Sequence, residues 1–530
     1  MRQYVVTSSE MKRYDANTIN RYHVPSLILM ERAALVTVEE LQRAYGRKPC
    51  RVLVMAGCGN NGGDGLAIGR LLLLQGYGVT CILLGSEEKC TEETARQISI
   101  LREYGTQIFS TIQEGEYDIV IDAIFGVGLS RTVEGIFKSA AEWINQGDSF
   151  VCSVDIPSGV SSDTGEIMGC AVRADLTVTY GFRKMGHLLY PGAGYTGTLV
   201  CRQMGIDEHS FLGEEPFWYT YMGTDSGLLP KRRPDGNKGT FGKVLLIAGN
   251  SRMAGAAMMA AKSVLRIGAG MVRVVTAEKN KDALQQFVPE AMVLTYPDDE
   301  VRAEGGRLEC NDTFVRELRE AEAWADCILI GPGIGMTKRA HELLRFGISE
   351  SELPLVIDAD GLNLLAQDSS LQKTAADCGR KGRTIVLTPH LGEFARLYDC
   401  SVAQAKKHLT EYPSELCRRL NCTVVCKDVR TVVVSHDGKR GYVNTTGNAG
   451  MATAGAGDVL AGMITGLIAQ KMPGEDAAVA GVYLHGTAGD LAAEHETEVS
   501  MTATDIIERI KDAVLLQSEE AKQSEAGIVG

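Results

Sequence analysis

Twice along this chain one local pattern recurs: a short apolar run, a glycine-rich turn, then an amphipathic helix. The runs of the first half are 51–56, 79–84, 117–124 and 149–156; those of the second are 243–248, 272–276, 327–330, 355–357, 384–387 and 423–426. Apolar segments this short, bounded by turn residues, read as buried strands. Their alternation with helical periodicity demands parallel sheets with helices on both faces. The rhythm weakens over 206–237, which carries Glu214-Glu215-Pro216, Leu229-Pro230 and Lys231-Arg232-Arg233-Pro234. A junction is therefore expected at 215–222, with domains of 1–218 and 222–517, a division that suits 530 residues. The first 40 residues read as helix. The tail after Gln517, rich in Glu, Lys and Ser, reads as frayed, and Lys231 to Arg233 as a solvated linker.

A net charge of −13 excludes a nucleic-acid surface, which needs a basic stripe, but not a phosphate-bearing small molecule held by backbone amides. The fourteen cysteines are scattered, many in apolar runs, with no C-x-x-C pair; they read as reduced thiols of a cytosolic protein rather than a zinc site. The N-terminal MRQYVVTSSEMKRYD has no apolar signal core, and no apolar run approaches the roughly 18 residues of a membrane span. The expectation is a soluble, cytoplasmic protein acting on small molecules, with homo-oligomerisation left open.

The first chemical signal is Gly57-Cys58-Gly59-Asn60-Asn61-Gly62-Gly63-Asp64-Gly65, between the strand 51–56 and a helix expected to run through Leu74. Glycines let the backbone turn tightly and present amides at a helix N-terminus, where an anion is stabilised. The loop is neither G-x-G-x-x-G nor a Walker loop. A bare turn has no use for two asparagines and an aspartate. Further turns occupy equivalent strand ends: Asp122 to Leu129, Val154 to Val160, and Asp163-Thr164-Gly165. Loops beyond the carboxyl ends of parallel strands converge on a ligand crevice. Asn61, Asp122 and Ser158 would there offer hard oxygens to a monovalent or divalent cation, leaving Asp155 as an acid/base group. Singly, such an Asp is a turn former or helix cap; several in register beside a glycine loop point to function.

The second signal is Thr453-Ala454-Gly455-Ala456-Gly457-Asp458 opening an amphipathic helix. Amides of Ala456, Gly457 and Asp458 can face an oxyanion, and Asp458 can deprotonate a hydroxyl that attacks phosphorus. Its companions are Lys238 to Lys243, Gly249-Asn250, Gly331 to Gly335, Asp358 to Asn363, Thr388 to Glu393 and Lys427 to Thr431, the last joining two β-like runs.

On NNGGDG, DAIFGVG, VDIPSG and DTG, with Met30-Glu31-Arg32-Ala33, residues 1 to 215 resemble the NAD(P)H-hydrate epimerases. The resemblance implies a Rossmann-like three-layer αβα domain. It also implies hydrate binding by Asn60, Asn61, Gly62, Gly63 and Asp64, by Gly126, Val127, Gly128, Leu129, Ser130, Arg131 and Thr132, and by Asp155. A potassium ion would be held by Asn61, Asp122 and Ser158. Residues 222 to 515 resemble the ADP- or ATP-dependent NAD(P)H-hydrate dehydratases of ribokinase-like fold. That implies hydrate binding by the Gly255-Ala256-Ala257 segment, Gly333, His390 and Asp458. The nucleotide would lie on Lys427, Asp428, Val429, Arg430, Thr431 and Gly457, with magnesium on its phosphates. The union of both domains in one chain leans toward ADP. Leu391 stands where this family commonly has proline, and a local backbone change is expected there; His390 could alternatively serve only to cap the next helix.

Two other readings compete. A ribokinase-type small-molecule kinase accounts for the GAGD helix but leaves NNGGDG and VDIPSG idle. A non-catalytic sensing or scaffolding first half has no need of Asp122, Asp155 and Ser158 together.

Overall fold

The computed structural model describes residues 2–113, 115–221, 228–296 and 312–527, and it divides into two compact units, Gln3–Trp218 and, chiefly, Tyr219–Gly530. The expected junction reaches residue 222, which lies outside the described residues.

The first unit is built on seven strands: β1 (Arg51–Ala56), β2 (Gly78–Leu83), β3 (Ile108–Phe109), β4 (Ile119–Ala123), β5 (Phe150–Val154), β6 (Leu176–Tyr180) and β7 (Thr198–Arg202). All pair in parallel, in the order β3-β2-β1-β4-β5-β6-β7. Side chains of a strand alternate between faces. Val52, Val54 and Ala56 accordingly enter one apolar cluster, and Leu53 and Met55 enter another on the opposite face. Both faces are thus covered, which is why these strands read as unbroken apolar runs.

Helix α1 (Asn60–Leu74) starts earlier than the sequence suggested, so Gly62, Gly63 and Gly65 lie inside it rather than in a loop. The reason is close packing. A Cβ on Gly62 would lie 1.8 Å from the carbonyl oxygen of Gly57, so only glycine lets the first turn of α1 settle against the end of β1.

The opening 40 residues are not one helical stretch. Gln3–Val6 is a strand, pairing in parallel with Arg183–Lys184, and helices Ser8–Asn20 and Ser26–Ala44 are separated before Pro25. Val5 and Val6 are β-branched, and their partner strand comes from a distant part of the chain, which no local periodicity reveals.

The second unit repeats the plan. Its strands are β8 (Lys243–Ile247), β9 (Met271–Ala277), β10 (Met292–Tyr296), β11 (Cys327–Ile330), β12 (Leu355–Ile357), β13 (Ile385–Leu387), β14 (Thr423–Cys426), β15 (Val432–Val434) and β16 (Gly441–Val443). From β10 through β14 they run parallel in the order β10-β9-β8-β11-β12-β13-β14; β15 and β16 then add antiparallel. Helices α2 (Ala254–Arg266), α3 (Leu391–Tyr398), α4 (Ala456–Ala469) and α5 (Gly474–Ser500) position the chemistry. Helix α4 is buried along almost its whole length and approaches α2 closely, since a Cβ on Gly462 would lie 2.0 Å from Ser263 Oγ. The last helix runs Ala503–Gly527 instead of fraying at Gln517, in keeping with the helix-forming Glu, Ala, Lys and Gln of that tail. Among the described residues no helix is long and apolar enough to cross a membrane, and the cysteines are free.

Candidate active sites

In a doubly wound sheet the ligand crevice lies where the strand order reverses, outside the carboxyl ends of the strands. In the first unit that place is between β1 and β4, and a cleft of about 860 Å³ opens there. Gly57 to Asn61 and Asp64 enter it from the β1–α1 turn, Ile124 to Leu129 and Arg131 from beyond β4, and Asp155 from the end of β5. No side chain caps α1, leaving its first amides available to an anion. Of the residues named from sequence, Gly62 and Gly63 do not line the cleft; they are buried in α1, where Gly63 faces Met30 and Thr94. Ser130 and Thr132 are also outside its lining and solvent-exposed.

Asp122 is wholly buried at the end of β4. Its Oδ2 accepts from Ser153 Oγ and from the Ser158 backbone N–H, each at 2.8 Å. Ser158 Oγ accepts from the Phe125 N–H at 2.9 Å, and Asn61 is pressed against Gly126. Asn61, Asp122 and Ser158 therefore meet around the turn at 125–126. Burial raises the Asp122 carboxyl despite those hydrogen bonds, and no cationic side chain pairs with it among the described residues. The Asn61 amide nitrogen is buried without a partner.

Asp155 has the opposite surroundings. Its Oδ1 receives the Lys184 ammonium at 2.5 Å and the Thr179 hydroxyl at 2.9 Å. Burial opposes ionisation, but the charge and hydrogen bond of Lys184 outweigh it and hold the carboxyl below the usual carboxylate range. Asp64, in the same cleft, makes no hydrogen bond to a described residue; burial and then the Asp155 charge push it well above that range. Two carboxyl groups of this cleft are thus shifted in opposite directions by their surroundings. Lys184, Thr179 and His187 were missed in the sequence. The available signal was the lysine of Phe182-Arg183-Lys184-Met185 in an otherwise apolar stretch, which becomes an ion-pair partner only when β6 is laid beside β5.

The second unit gathers its residues beyond the carboxyl ends of β12, β13 and β14. Lys427, just past β14, sends its ammonium to Asp358 Oδ1 at 2.8 Å, and a Cβ on Gly457 would lie 3.2 Å from that nitrogen. Asp358, at the end of β12, also accepts from Thr388 Oγ1 at 2.7 Å. Gly455 takes φ +95 and leaves α4 without a side-chain cap; the Ala456 N–H turns back to the Thr453 carbonyl at 3.4 Å, which leaves the amides of Gly457 and Asp458 available. Burial and then Asp358 push the Asp458 carboxyl up to about 7, with Asp360 and Glu393 adding to the rise and Lys427 opposing it. Gly333 abuts Ala256 and Met253 near the start of α2, while Ala257 is buried behind them. Asp360 Oδ2 accepts from the Gly335 N–H at 2.8 Å, tying the glycine turn to β12. Asp428, Val429, Arg430 and Thr431 form the β14–β15 turn, where Arg430 donates to the Thr445 carbonyl at 2.9 Å and Val429 is exposed.

His390 does cap a helix. Its Nδ1 accepts from Gly392 N–H at 2.9 Å, and Glu393 returns a bond to the His390 N–H. Burial, then the Lys427 charge, lowers its pKa. Leu391 is simply the first residue of α3, which starts there regularly.

Two doubly wound units, each bringing a carboxylate and an uncapped helix N-terminus to the carboxyl ends of its strands, define a two-site α/β enzyme. Residues 244–512 match the family model described as NAD(P)H-hydrate dehydratase, and residues 26–186 the one described as YjeF-related protein N-terminus. The bifunctional NAD(P)H-hydrate repair enzyme Nnr of Thermofilum pendens is 36% identical over 528 residues, covering 96% of both chains. The enzyme of the same name from Escherichia coli is 33% identical, covering 87% of this chain and 84% of its own. Among solved structures, the ADP/ATP-dependent NAD(P)H-hydrate dehydratase of Bacillus subtilis, co-crystallised with ATP and Mg2+, is 28% identical; it covers 55% of this chain and 94% of that one, with a TM-score of 0.44. The chain belongs to the bifunctional NAD(P)H-hydrate repair enzymes.

Proposed function

We propose that residues 1–218 interconvert the R and S hydrates of NADH and NADPH, and that residues 222–517 dehydrate the S form at the expense of ADP. The observation that carries the reading is the coexistence in one chain of two carboxylates in different states. Asp155 is held ionised in a cleft, and Asp458 is held near neutrality at a helix N-terminus beside a lysine.

In the first unit the ring nitrogen lone pair expels the C6 hydroxyl, giving an iminium to which water returns on either face. Asp155 takes the proton of the incoming water, and the same carboxyl in its acid form serves the reverse step. Asn60, Asn61, Asp64, the 126–129 turn and Arg131 hold the damaged cofactor. Potassium fits the group of Asn61, Asp122 and Ser158: a buried carboxylate without a cationic partner among the described residues, a hydroxyl and an amide oxygen are hard donors. When bound, it would compensate that charge and tie the loops after β1, β4 and β5 together.

In the second unit Asp458 removes the proton of the C6 hydroxyl, whose oxygen attacks the terminal phosphoryl group of ADP and displaces AMP. Phosphate then leaves as the ring nitrogen pushes electrons toward C6, and loss of the C5 proton restores the double bond. Lys427 and the amides at the start of α4 steady the phosphoryl oxygens. Ala256, Gly333 and His390 hold the hydrate, and the 427–431 turn with Gly457 holds the nucleotide. Magnesium would come with the nucleotide and neutralise its phosphate charge; among the described residues no group of three or more His, Cys, Asp or Glu is set to hold a metal ion by itself. The free thiols agree with a cytoplasmic setting.

The test supplies each purified epimer of hydrated NADH, with and without ADP, ATP and Mg2+, and follows recovery of reduced-nicotinamide absorbance. Both epimers should be restored when nucleotide and magnesium are present, the R form only after interconversion. No recovery with either nucleotide overturns the reading.

A further inference from the structure

We propose that Lys184 and His187 are positioning residues that fix Asp155 through a closed ring of hydrogen bonds, an inference that rests on the epimerase reading of the cleft. Lys184 enters the ring twice. Its ammonium donates to Asp155 Oδ1 at 2.5 Å, and its backbone N–H donates to His187 Nδ1 at 3.0 Å. His187 closes the ring through Nε2, 2.8 Å from the Asp155 backbone carbonyl. Since Nδ1 accepts, the proton is on Nε2 and is donated to that carbonyl. Burial, then the neighbouring Lys184 charge, lowers the imidazole pKa to about 3, so one neutral tautomer persists over the working range.

The ring answers a conformational demand. Asp155 sits at φ +66, a region that residues other than glycine seldom occupy and keep only where the surroundings over-determine it. Its N–H is fixed to the Val178 carbonyl at 2.8 Å and its own carbonyl to His187. Thr179 Oγ1 braces the pair, donating to Asp155 Oδ1 and accepting from the Lys184 ammonium at 2.7 Å. Both side-chain bonds to Asp155 converge on Oδ1, and no bond from a described residue reaches Oδ2, which leaves that oxygen for the substrate. The ring members are almost sealed from solvent: Lys184 is 1% exposed and His187 3%. The titratable groups facing Asp155 are Lys184 and His187 from the segment after β6, Tyr180 on β6, Asp64 on α1 and Cys201 on β7. Lys184 is the cation among them, so the two ring members have separable jobs. Lys184 sets the charge state of Asp155, and His187 sets its backbone.

The full-length chain tests this, with epimerisation followed by chromatography from one purified epimer of hydrated NADH across the acid pH range. Lys184→Met should bring an acid limb into the kcat profile and cut kcat about tenfold or more with KM near wild type, and Lys184→Arg should restore the flat profile. His187→Ala should lower kcat about tenfold without moving the profile, because the charge next to Asp155 stays. His187→Gln, which can still donate to the Asp155 carbonyl, should recover part of the loss. Dehydration of the S hydrate by the same variants should be unchanged, and the thermal transition reports folding. Wild-type kcat and a flat profile in Lys184→Met and His187→Ala, while Asp155→Ala is inactive, overturn the proposal and spare the reading of the cleft. An active Asp155→Ala overturns that reading instead. If Lys184→Met does not fold, His187→Ala decides alone, and an unchanged kcat in it overturns the ring.

Discussion

The two units order their parallel strands identically, as third-second-first-fourth-fifth-sixth-seventh in chain sequence, yet they surround the carboxyl at the strand ends in opposite electrostatic ways. In the first, the carboxylate of Asp155 is met by a buried ammonium and stays ionised. In the second, Lys427 is already paired with Asp358, and Asp458 is left among acidic neighbours. Topology therefore decides where a site forms, while the charges packed around one carboxyl decide which proton transfers it can perform. A water-addition equilibrium is served by a carboxyl that rests ionised and takes up and returns one proton in each cycle. A phosphoryl acceptor is better served by a base whose pKa lies near the working pH.

The sharpest break of this comparison is a double dissociation. Asp155→Ala should lower epimerisation by about 10²–10⁴-fold and leave dehydration of the S hydrate intact, and Asp458→Asn should do the reverse. Loss of both activities in either variant would show that the sites are not independent. Next in size is pH. Asp458 must be deprotonated to act, its pKa is about 7, and one unit below a pKa about one carboxyl in ten remains ionised. Dehydration should therefore fall about tenfold per unit on the acid side of neutrality. Asp155 lies below the usual range, so epimerisation should stay flat over the same interval. Parallel profiles would contradict the electrostatic contrast. A smaller effect is expected from the cation. Replacing potassium by lithium should reduce epimerisation several-fold and leave dehydration unaffected, since the set formed by Asn61, Asp122 and Ser158 belongs to the first unit alone.

Much of this was legible in the chain because buried parallel strands are short, apolar and punctuated by glycine, and because strand-end loops must converge. Asp155 and Asp458 could be named from the turns they occupy. Lys184 and His187 could not, since their role depends on register: the segment after β6 reaches Asp155 only once β6 lies beside β5. The strand Gln3–Val6 was hidden for the same reason, its partner being Arg183–Lys184. Glycine content misled in one respect. NNGGDG looked uniformly like a ligand loop, but Gly62 and Gly63 serve the packing of α1, and Asn60, Asn61 and Asp64 are the ones facing the cleft.

The contrast can also be sharpened by making the second site more like the first. Asp358 both raises Asp458 and occupies the Lys427 ammonium, so Asp358→Asn removes a repelling charge and frees an attracting one in a single change. Each effect favours the ionised form of Asp458, and both lower its pKa. The acid limb of dehydration should then move to lower pH, and relative to its own maximum the variant should retain several-fold more activity at pH 6 than the parent. A profile that stays in place while KM for the nucleotide rises would mean that Asp358 acts by holding Lys427 for the phosphates and not through the charge on Asp458. That outcome would assign the difference between the two units to ligand geometry instead of to the electrostatics around one carboxyl.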